Sequence, residues 1–388
     1  MSDSTVIPAG LQRRWTILAA ASLAAWVAGL WILRGALPST QAWAWAVGSA
    51  LTLAYVLIFS LRRLRLNHRP GETQPLDELG PGNALTLLRG TLIGLLAGFL
   101  LLPRPDGWLG WVPAALYSLV DVGDFLDGYL ARATHTATRL GERLDIEFDA
   151  LGLLIASALA VHWGVMPPAF LLVGVARYAY LLGLWWEQRR GRAIRPLPVS
   201  DLRRPIAGVM MVFGSVLLWP IVPPAAARAA GWVIGLPFLA GFSRDYLVVS
   251  GHLSPASSAY VRWRARLKRV LHVWLPPVLR AVVLLGWVLA TGSVPIDPSM
   301  PSAGRWVVVL TGIPVVLLVL GIAGRLAALG STILSAVAMV VMGTSPLLLL
   351  VMTASLVLLL TGTGPGSLWR GDSFLVDWRP GTPRPPGD

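Results

Sequence analysis

Apolar runs long enough to cross a lipid bilayer recur along almost the whole of this chain. A helix needs about 20 mostly apolar residues to span a hydrocarbon core about 30 Å thick. Such runs begin near residue 15 and continue to about residue 362, and the alternating pattern of membrane β-barrel strands does not occur. Only 13% of the residues are charged and 55% are apolar, unlike a soluble globular protein. The sequence therefore predicts an all-α fold, a polytopic transmembrane helical bundle of about twelve helices.

The chain carries a formal net charge of +13, which raises the question of a nucleic-acid partner. However, Arg and Lys concentrate in short segments between the apolar runs, such as 62–65 and 262–266. This is the positive-inside distribution of membrane proteins, in which basic loops face anionic lipid on the cytoplasmic side. We therefore expect a multi-pass protein of the cell membrane that binds no nucleic acid. The chain has no cysteine, so disulfides, thiolate nucleophiles and thiolate metal ligands are excluded.

Residues 121–149 carry acidic side chains at helical spacing in two neighbouring segments. With about 100° of rotation per residue, the first segment places five positions within about 140° of one helix face: Asp124, Asp127, Gly128, Ala131 and Arg132. In the second segment three positions recur at steps of four and share a stripe of the next helix: Gly141, Asp145 and Asp149. Two carboxylate faces can therefore meet.

Written out, the pattern is D-x-x-D-G-x-x-A-R, eight further residues, and G-x-x-x-D-x-x-x-D, and all eight fixed positions are present. It resembles the signature of the CDP-alcohol phosphotransferase (CDP-alcohol phosphatidyltransferase) family, the integral-membrane enzymes that make phospholipids from CDP-activated donors. The resemblance implies a core of six helices between residues 83 and 250. It also implies transfer of a substituted phosphoryl group from a CDP-linked lipid, such as CDP-diacylglycerol, to the hydroxyl of a polar alcohol, with release of CMP.

The same resemblance implies a role for each matching residue. The metal ligands would be Asp124, Asp127, Asp145 and Asp149. Asp149 would also be the general base that deprotonates the acceptor hydroxyl. Contacts to the CDP group would come from Gly128, Ala131, Arg132 and Gly141. The residues alone leave both glycines open to a second interpretation, close helix packing through small residues.

A shorter motif opens the first predicted core helix. Asn83, Thr86 and Arg89 are spaced by three and share one face. This resembles the family's opening motif near the phosphates of the donor. By itself the motif is weak, because an isolated Asn at the start of a helix is more often a helix cap.

Four carboxylates at one membrane depth repel one another unless cations neutralise them. The candidate ligands are hard oxygens with neither Cys nor a pair of His nearby, which favours Mg²⁺ or Mn²⁺ over Zn²⁺. Two ions about 4 Å apart can be bridged by four carboxylates around a diphosphate, so we expect two. We expect His135 at the surface, Asp121 in a supporting role, and Glu142 and Glu147 in solvent or at the interface.

The acceptor is less well defined by the sequence. Arg177, Arg204 and Arg244 come from three predicted core helices and could bind a phosphate or carboxylate. Positive-inside anchoring is the alternative, strongest for Arg204. A phosphorylated polyol is the leading acceptor, with glycerol 3-phosphate and inositol phosphate as examples.

Two functions other than this enzyme activity are alternatives, an ion-coupled transporter and a non-catalytic relative of the family. The acids lie at one edge of the bundle and no internal repeat is evident, which favours the enzyme.

Loop composition divides the chain into four predicted segments. They are two transmembrane helices with a cytoplasmic linker (1–79), the six-helix catalytic core (80–251), further transmembrane helices that follow a basic loop at 252–269 (252–362), and a disordered cytoplasmic tail (363–388). We expect an active site on the cytoplasmic side, complete within residues 83–250. The flanking helices would serve packing, lipid access or subunit contact in a homodimer.

Overall fold

The computed structural model describes residues 7–197, 203–292, 302–362 and 364. All regular elements in these ranges are helices, which confirms the predicted fold class. They are α1 (Ala9–Ala36), α2 (Ser39–Leu61), α3 (Pro81–Ala97), α4 (Trp111–Ala133), α5 (Arg139–His162), α6 (Leu171–Arg189), α7 (Arg203–Leu218), α8 (Pro224–Val249), α9 (Ser258–Arg269), α10 (Leu275–Gly292), α11 (Ser302–Leu320), α12 (Gly324–Met342) and α13 (Pro346–Thr361). Short 3₁₀ turns extend α3 and precede α4 and α6. Within the described ranges, eight helices are long and apolar enough to cross a membrane.

Helix α9 corrects one expectation, since the basic segment 252–269 was expected to be a loop. Its part from Ser258 to Arg269 is helical and joins α10 through a π-helical turn. Residues 258–269 contain neither Gly nor Pro, and the Ser257 hydroxyl caps this helix by accepting the Tyr260 N–H at 3.3 Å. High charge alone is therefore a poor sign of a loop. The predicted disordered tail, 363–388, lies outside the described residues apart from Gly364.

The helices group into two compact units. The first comprises Met1–Leu181 and Gly208–Pro220, and the second comprises Leu182–Ala207 and Ile221–Asp388. The acidic segment therefore belongs to the first unit, together with α1 to α5. In the second unit, polar side chains link the C-terminal helices, where Trp287 donates to Ser331 at 2.8 Å.

Helix α3 lies at the centre of the first unit. Eleven of its 17 residues are buried. The Thr91 hydroxyl bonds that of Ser22 on α1 at 2.7 Å, and the Trp45 indole on α2 donates to the Leu95 carbonyl at 3.0 Å. Such interhelical hydrogen bonds help to fix helices in a bundle where lipid offers no competing partner. A charged side chain on α3 is therefore placed inside the protein, and Arg89 is such a side chain.

Glu147 corrects a second expectation, because it is buried and not solvated. It lies on α5, on a different face from Asp145 and Asp149. Its Oε1 accepts hydrogen bonds from the Tyr55 hydroxyl on α2 at 2.6 Å and from the Tyr178 hydroxyl on α6 at 3.3 Å. These tyrosines lie far from Glu147 in sequence, so helical spacing on α5 alone could not reveal them.

We predict that Tyr55→Phe destabilises the protein by about 1–3 kcal/mol, because a buried carboxylate then loses its shortest hydrogen bond. The free energy of unfolding in detergent measures this, and activity per folded molecule should stay unchanged. Tyr129→Phe removes a hydroxyl from an exposed ring on α4 and should cost less than about 0.5 kcal/mol. Equal stabilities of the two variants would contradict a stabilising role for the Tyr55–Glu147 contact.

Candidate active site

The loop between α4 and α5 sets the spacing of the two acidic faces. Helix α5 begins at Arg139, so Gly141, Asp145 and Asp149 all lie on it, as the sequence predicts. The reason for this start is a cap, since the Thr138 hydroxyl accepts the Gly141 N–H at 3.1 Å. Asp145 and Asp149 consequently lie in the second and third turns of α5, within a regular helix.

All four signature carboxylates converge on the guanidinium of Arg89. Its Nη1 donates to Asp127 Oδ2 at 2.6 Å and to Asp145 Oδ1 at 2.8 Å. Its Nη2 donates to Asp149 Oδ1 at 2.5 Å and forms an ion pair with Asp124 Oδ1 at 2.8 Å. The two acidic helix faces therefore meet, as the spacing predicts, and α3 supplies the cation between them.

Exposure differs strongly across this cluster. The Arg89 side chain is 0% exposed and that of Asp127 is 8% exposed, so these two form its floor. Asp124, Asp145 and Asp149 are 37%, 41% and 30% exposed. The cluster is thus open on one side, where a phosphate-bearing ligand can reach three carboxylates. Four carboxylates against one guanidinium leave an excess of three negative charges.

The donor set fits divalent cations. One carboxylate oxygen from each of Asp124, Asp127 and Asp145 lies within 4.8 Å of the other two. These are hard oxygen ligands of the kind that Mg²⁺ and Mn²⁺ prefer, and their excess negative charge needs compensation. The structure thus contains a cluster able to hold a metal ion. Asp149 lies outside this closest trio and joins the cluster through Arg89.

Sequence reasoning placed Arg89 near the donor's phosphates but missed its contacts with the carboxylates. The missing step was charge balance: a lone arginine inside an apolar helix needs an anionic partner. The chain offers four acids in the adjoining signature. That reasoning would have paired Arg89 with the signature without any structure.

Asn83 and Thr86 lie beside the cluster and are both buried. The Asn83 Nδ2 donates to Asn67 Oδ1 and to Thr138 Oγ1, each at 2.9 Å, and so ties the start of α3 to the cap of α5. The Thr86 hydroxyl lies 2.9 Å from Asp127 Oδ2. Both side chains thus hold the carboxylate-bearing helices in register, and any contact they make with a donor stays a prediction.

The two signature glycines differ in their surroundings. A Cβ at Gly141 would lie 2.4 Å from Asn83 Oδ1, so close packing requires glycine there. A Cβ at Gly128 would have the Arg132 guanidinium as its nearest neighbour, at 3.2 Å. Gly128, half-buried Ala131 and exposed Arg132 consequently share a face that a ligand can approach. Gly141 has a packing reason, which the sequence alone could not separate from nucleotide binding.

The remaining candidate residues are placed as follows. Arg177 on α6 is half-buried, and its Nε has no hydrogen-bond partner among the described residues. Arg244 on α8 contacts Asp245 at 3.1 Å and donates to the Tyr260 hydroxyl at 3.0 Å. The side chain of Arg204 lies outside the described part of the chain. Arg177 belongs to the first unit and Arg244 to the second, so a shared acceptor pocket stays a prediction.

Three supporting residues can also be located. His135 is exposed, as expected, and has a positive φ of 54° in the loop between α4 and α5. Glu142 is exposed beside Arg139. Asp121, one turn before Asp124, accepts a hydrogen bond from the Ser215 hydroxyl on α7. Asp121 is therefore anchored outside the cluster that Arg89 joins.

The sequence pattern of the CDP-alcohol phosphatidyltransferase family matches residues 81–240, a range that contains the whole cluster. A Salmonella choleraesuis protein named CDP-diacylglycerol--glycerol-3-phosphate 3-phosphatidyltransferase is 30% identical over 139 residues, which make up 35% of this chain and 74% of that protein. The chain belongs to the CDP-alcohol phosphatidyltransferase family. Its flanking helices α1, α2 and α9 to α13 lie outside the family match.

Two further relatives are similar to parts of this chain. A Cereibacter sphaeroides protein with the same name as the Salmonella relative is 35% identical over 91 residues, 23% of this chain and 40% of that protein. A Mycobacterium tuberculosis protein named "Putative cardiolipin synthase" is 29% identical over 156 residues, 39% of this chain and 71% of that protein. No solved structure matches the chain. Family membership identifies a membrane enzyme of the transferase class and disfavours the ion-coupled transporter.

Proposed function

We propose that this enzyme transfers a phosphatidyl group from CDP-diacylglycerol to the hydroxyl of a small phosphorylated polyol and releases CMP, as a step of phospholipid biosynthesis. Family membership and the names of the relatives support the donor and the reaction type. Two relatives are named for glycerol 3-phosphate, which makes this alcohol the leading acceptor and inositol phosphate the second.

One observation carries the proposal: four carboxylates from two helices converge in a cluster that opens on one side. Mg²⁺ or Mn²⁺, two ions held by Asp124, Asp127, Asp145 and Asp149, would supply charge neutralisation for the donor's diphosphate. The four residues lie on two adjoining helices and share contacts with one guanidinium, so they are already held close together. A fixed arrangement of ligands lowers the reorganisation needed when the donor binds.

Asp149 is the general base in this proposal. Its carboxylate takes the proton of the acceptor hydroxyl as the hydroxyl oxygen forms a bond to the β-phosphorus of the donor. The bond from that phosphorus to the oxygen bridging to the α-phosphate breaks, and CMP leaves with the electron pair. Asp149 is 30% exposed, compared with 8% for Asp127, which suits contact with a second substrate.

Binding of the CDP group is assigned to residues around the open side of the cluster. They are Gly128, Ala131, Arg132 and Gly141, together with Asn83 and Thr86, which are buried beside the cluster. Gly128 and Arg132 support this most directly, because the nearest neighbour of a Cβ at Gly128 would be the Arg132 guanidinium and not another helix. Arg177, Arg204 and Arg244 are proposed to hold the acceptor's phosphate, for which the half-buried Arg177 has the clearest support.

We further propose that residues 80–251 form the catalytic core and that the active site faces the cytoplasm, in line with the positive-inside rule. The flanking helices, including 252–362, are proposed to serve packing, lipid access or a homodimer contact. Expression of 80–251 alone in lipid, with CMP release per folded molecule as the readout, tests the boundary. A folded core that binds donor but needs the flanks for turnover would contradict it.

An acceptor screen tests the proposed substrate class. Purified enzyme in lipid with CDP-diacylglycerol and Mg²⁺ or Mn²⁺ should release CMP only when an acceptor is added. Glycerol 3-phosphate should give phosphatidylglycerophosphate, identified by mass spectrometry. Inositol phosphate and phosphatidylglycerol are the comparison acceptors. Release that requires phosphatidylglycerol instead would contradict the small polar acceptor, and no release with any acceptor would support the non-catalytic relative.

A further inference from the structure

Arg89 is unusual because, among the described residues, its guanidinium pairs with carboxylates that are all proposed to hold metal. The side chain is fully buried and its two terminal nitrogens reach four carboxylates at 2.5–2.8 Å. Its Nε is buried and has no hydrogen-bond partner among the described residues. Within the described part of the chain, the guanidinium is therefore held by the acidic cluster alone.

Gly123 explains how the side chain reaches that place. This glycine is buried on α4, directly before Asp124, and is not a fixed position of the family signature. A Cβ at Gly123 would lie 2.8 Å from Arg89 Cγ and 3.1 Å from Cδ. Both atoms belong to the aliphatic stem and not to its flexible end, so a methyl group there could be accommodated only by moving the whole side chain. Because Gly123 has no side chain, α4 leaves the space in which the aliphatic stem of Arg89 packs.

We propose that Arg89, whose stem packs against Gly123, serves as an internal cation of the acidic cluster. Its guanidinium competes with divalent ions for the four carboxylates. This inference rests on the proposed metal site. It makes Arg89 and Gly123 positioning residues that set metal affinity, beyond any contact of Arg89 with the donor. The competition follows from charge, because a guanidinium within 2.8 Å of each carboxylate repels a second cation drawn to the same oxygens.

The proposal predicts opposite effects on stability and on metal affinity. Removing the guanidinium leaves four carboxylates without their internal partner, so the protein should be less stable when a chelator is present. The same change removes a competitor, so Mn²⁺ should bind more tightly. Adding Mn²⁺ should therefore raise the stability of the variant by more than it raises the stability of the wild type. A purely structural role would lower stability without raising affinity.

The test uses the full chain in detergent, with Mn²⁺ as the probe. Arg89→Ala should bind Mn²⁺ about tenfold more tightly, measured by electron paramagnetic resonance of the free ion. Its unfolding midpoint in chelator should fall by about 5–10 °C. Arg139→Ala is the matched control, since it removes an exposed arginine from α5 that pairs with exposed Glu142, away from the cluster. The control should match the wild type in both measurements.

Gly123→Ala provides a second variant that keeps the charge. It should displace Arg89 and shift Mn²⁺ affinity and stability in the same directions as Arg89→Ala. In the Arg89→Ala background the same substitution should have almost no effect, because the stem that it would meet is gone. Gly208→Ala on α7 is the control, as a helical glycine whose Cβ would meet nothing within 4 Å.

Each result bears on the proposal. Weaker or unchanged Mn²⁺ binding by both Arg89→Ala and Gly123→Ala would overturn it, even if both variants are destabilised. Full additivity of the two substitutions would overturn the role of Gly123. If neither the wild type nor either variant binds Mn²⁺, the proposed metal site fails together with this inference, whereas a wild type that binds Mn²⁺ like its variants overturns the inference and leaves the metal site standing.

Discussion

Asp149→Asn is expected to lower turnover by about 10²–10⁴-fold, the usual cost of losing a general base. The amide is the same size as the carboxylate and its oxygen can still accept a hydrogen bond from Arg89, but it cannot take a proton from the acceptor. The variant should therefore stay folded and keep most of its binding of metal and CDP-donor, because Asp124, Asp127 and Asp145, the closest trio of carboxylates, remain. Initial rates of CMP release, together with Mn²⁺ binding, measure the two properties separately.

Glu142→Gln is the control for Asp149→Asn. It neutralises an exposed carboxylate on the same helix, away from the cluster, and should leave turnover nearly unchanged. Turnover close to normal in Asp149→Asn would remove Asp149 from the role of base. Loss of Mn²⁺ binding in that variant would instead make Asp149 primarily a metal ligand.

Asp127→Asn is expected to have a broader effect than Asp149→Asn. Asp127 is the most buried carboxylate of the cluster and contacts both Arg89 and Thr86. Its neutralisation should weaken Mn²⁺ binding by at least about 100-fold, beyond the 10–100-fold typical of losing an outer-sphere partner. Donor binding and turnover should fall with it, because all three depend on the same cluster.

Mn²⁺ titration and donor binding on folded Asp127→Asn measure this directly. The comparison with Asp149→Asn separates a metal ligand from a general base, since each variant replaces one carboxylate by an amide in the same cluster. Normal Mn²⁺ affinity in Asp127→Asn would contradict its assignment as a ligand. Equal loss of metal binding in the two variants would contradict the separate role given to Asp149.

Helix positions and the acidic signature could be predicted from the sequence because both depend on local periodicity. Apolar runs of spanning length identify helices, and steps of three and four place Asp124 with Asp127 and Asp145 with Asp149. The meeting of the two faces also followed from the pattern. Helix α9 was missed because charge was given more weight than helix propensity in residues 258–269, which include neither Gly nor Pro.

What could not be predicted depends on contacts between residues distant in sequence. Glu147 is buried because Tyr55 and Tyr178 reach it from two other helices, one of them outside the family match. Gly141 needs to be glycine because Asn83, on α3, occupies the adjacent space. Spacing along one helix gives the face of a residue but not the neighbour that the face meets.

The central claim is that the acidic cluster makes this protein a metal-dependent transferase that uses a CDP-linked lipid. The most direct measurement is CMP release from CDP-diacylglycerol by one purified preparation, with glycerol 3-phosphate, before chelation, after complete chelation with EDTA, and after Mg²⁺ or Mn²⁺ is restored. We expect CMP release in the first and third conditions and none in the second. CMP release that continues after complete chelation would contradict the account.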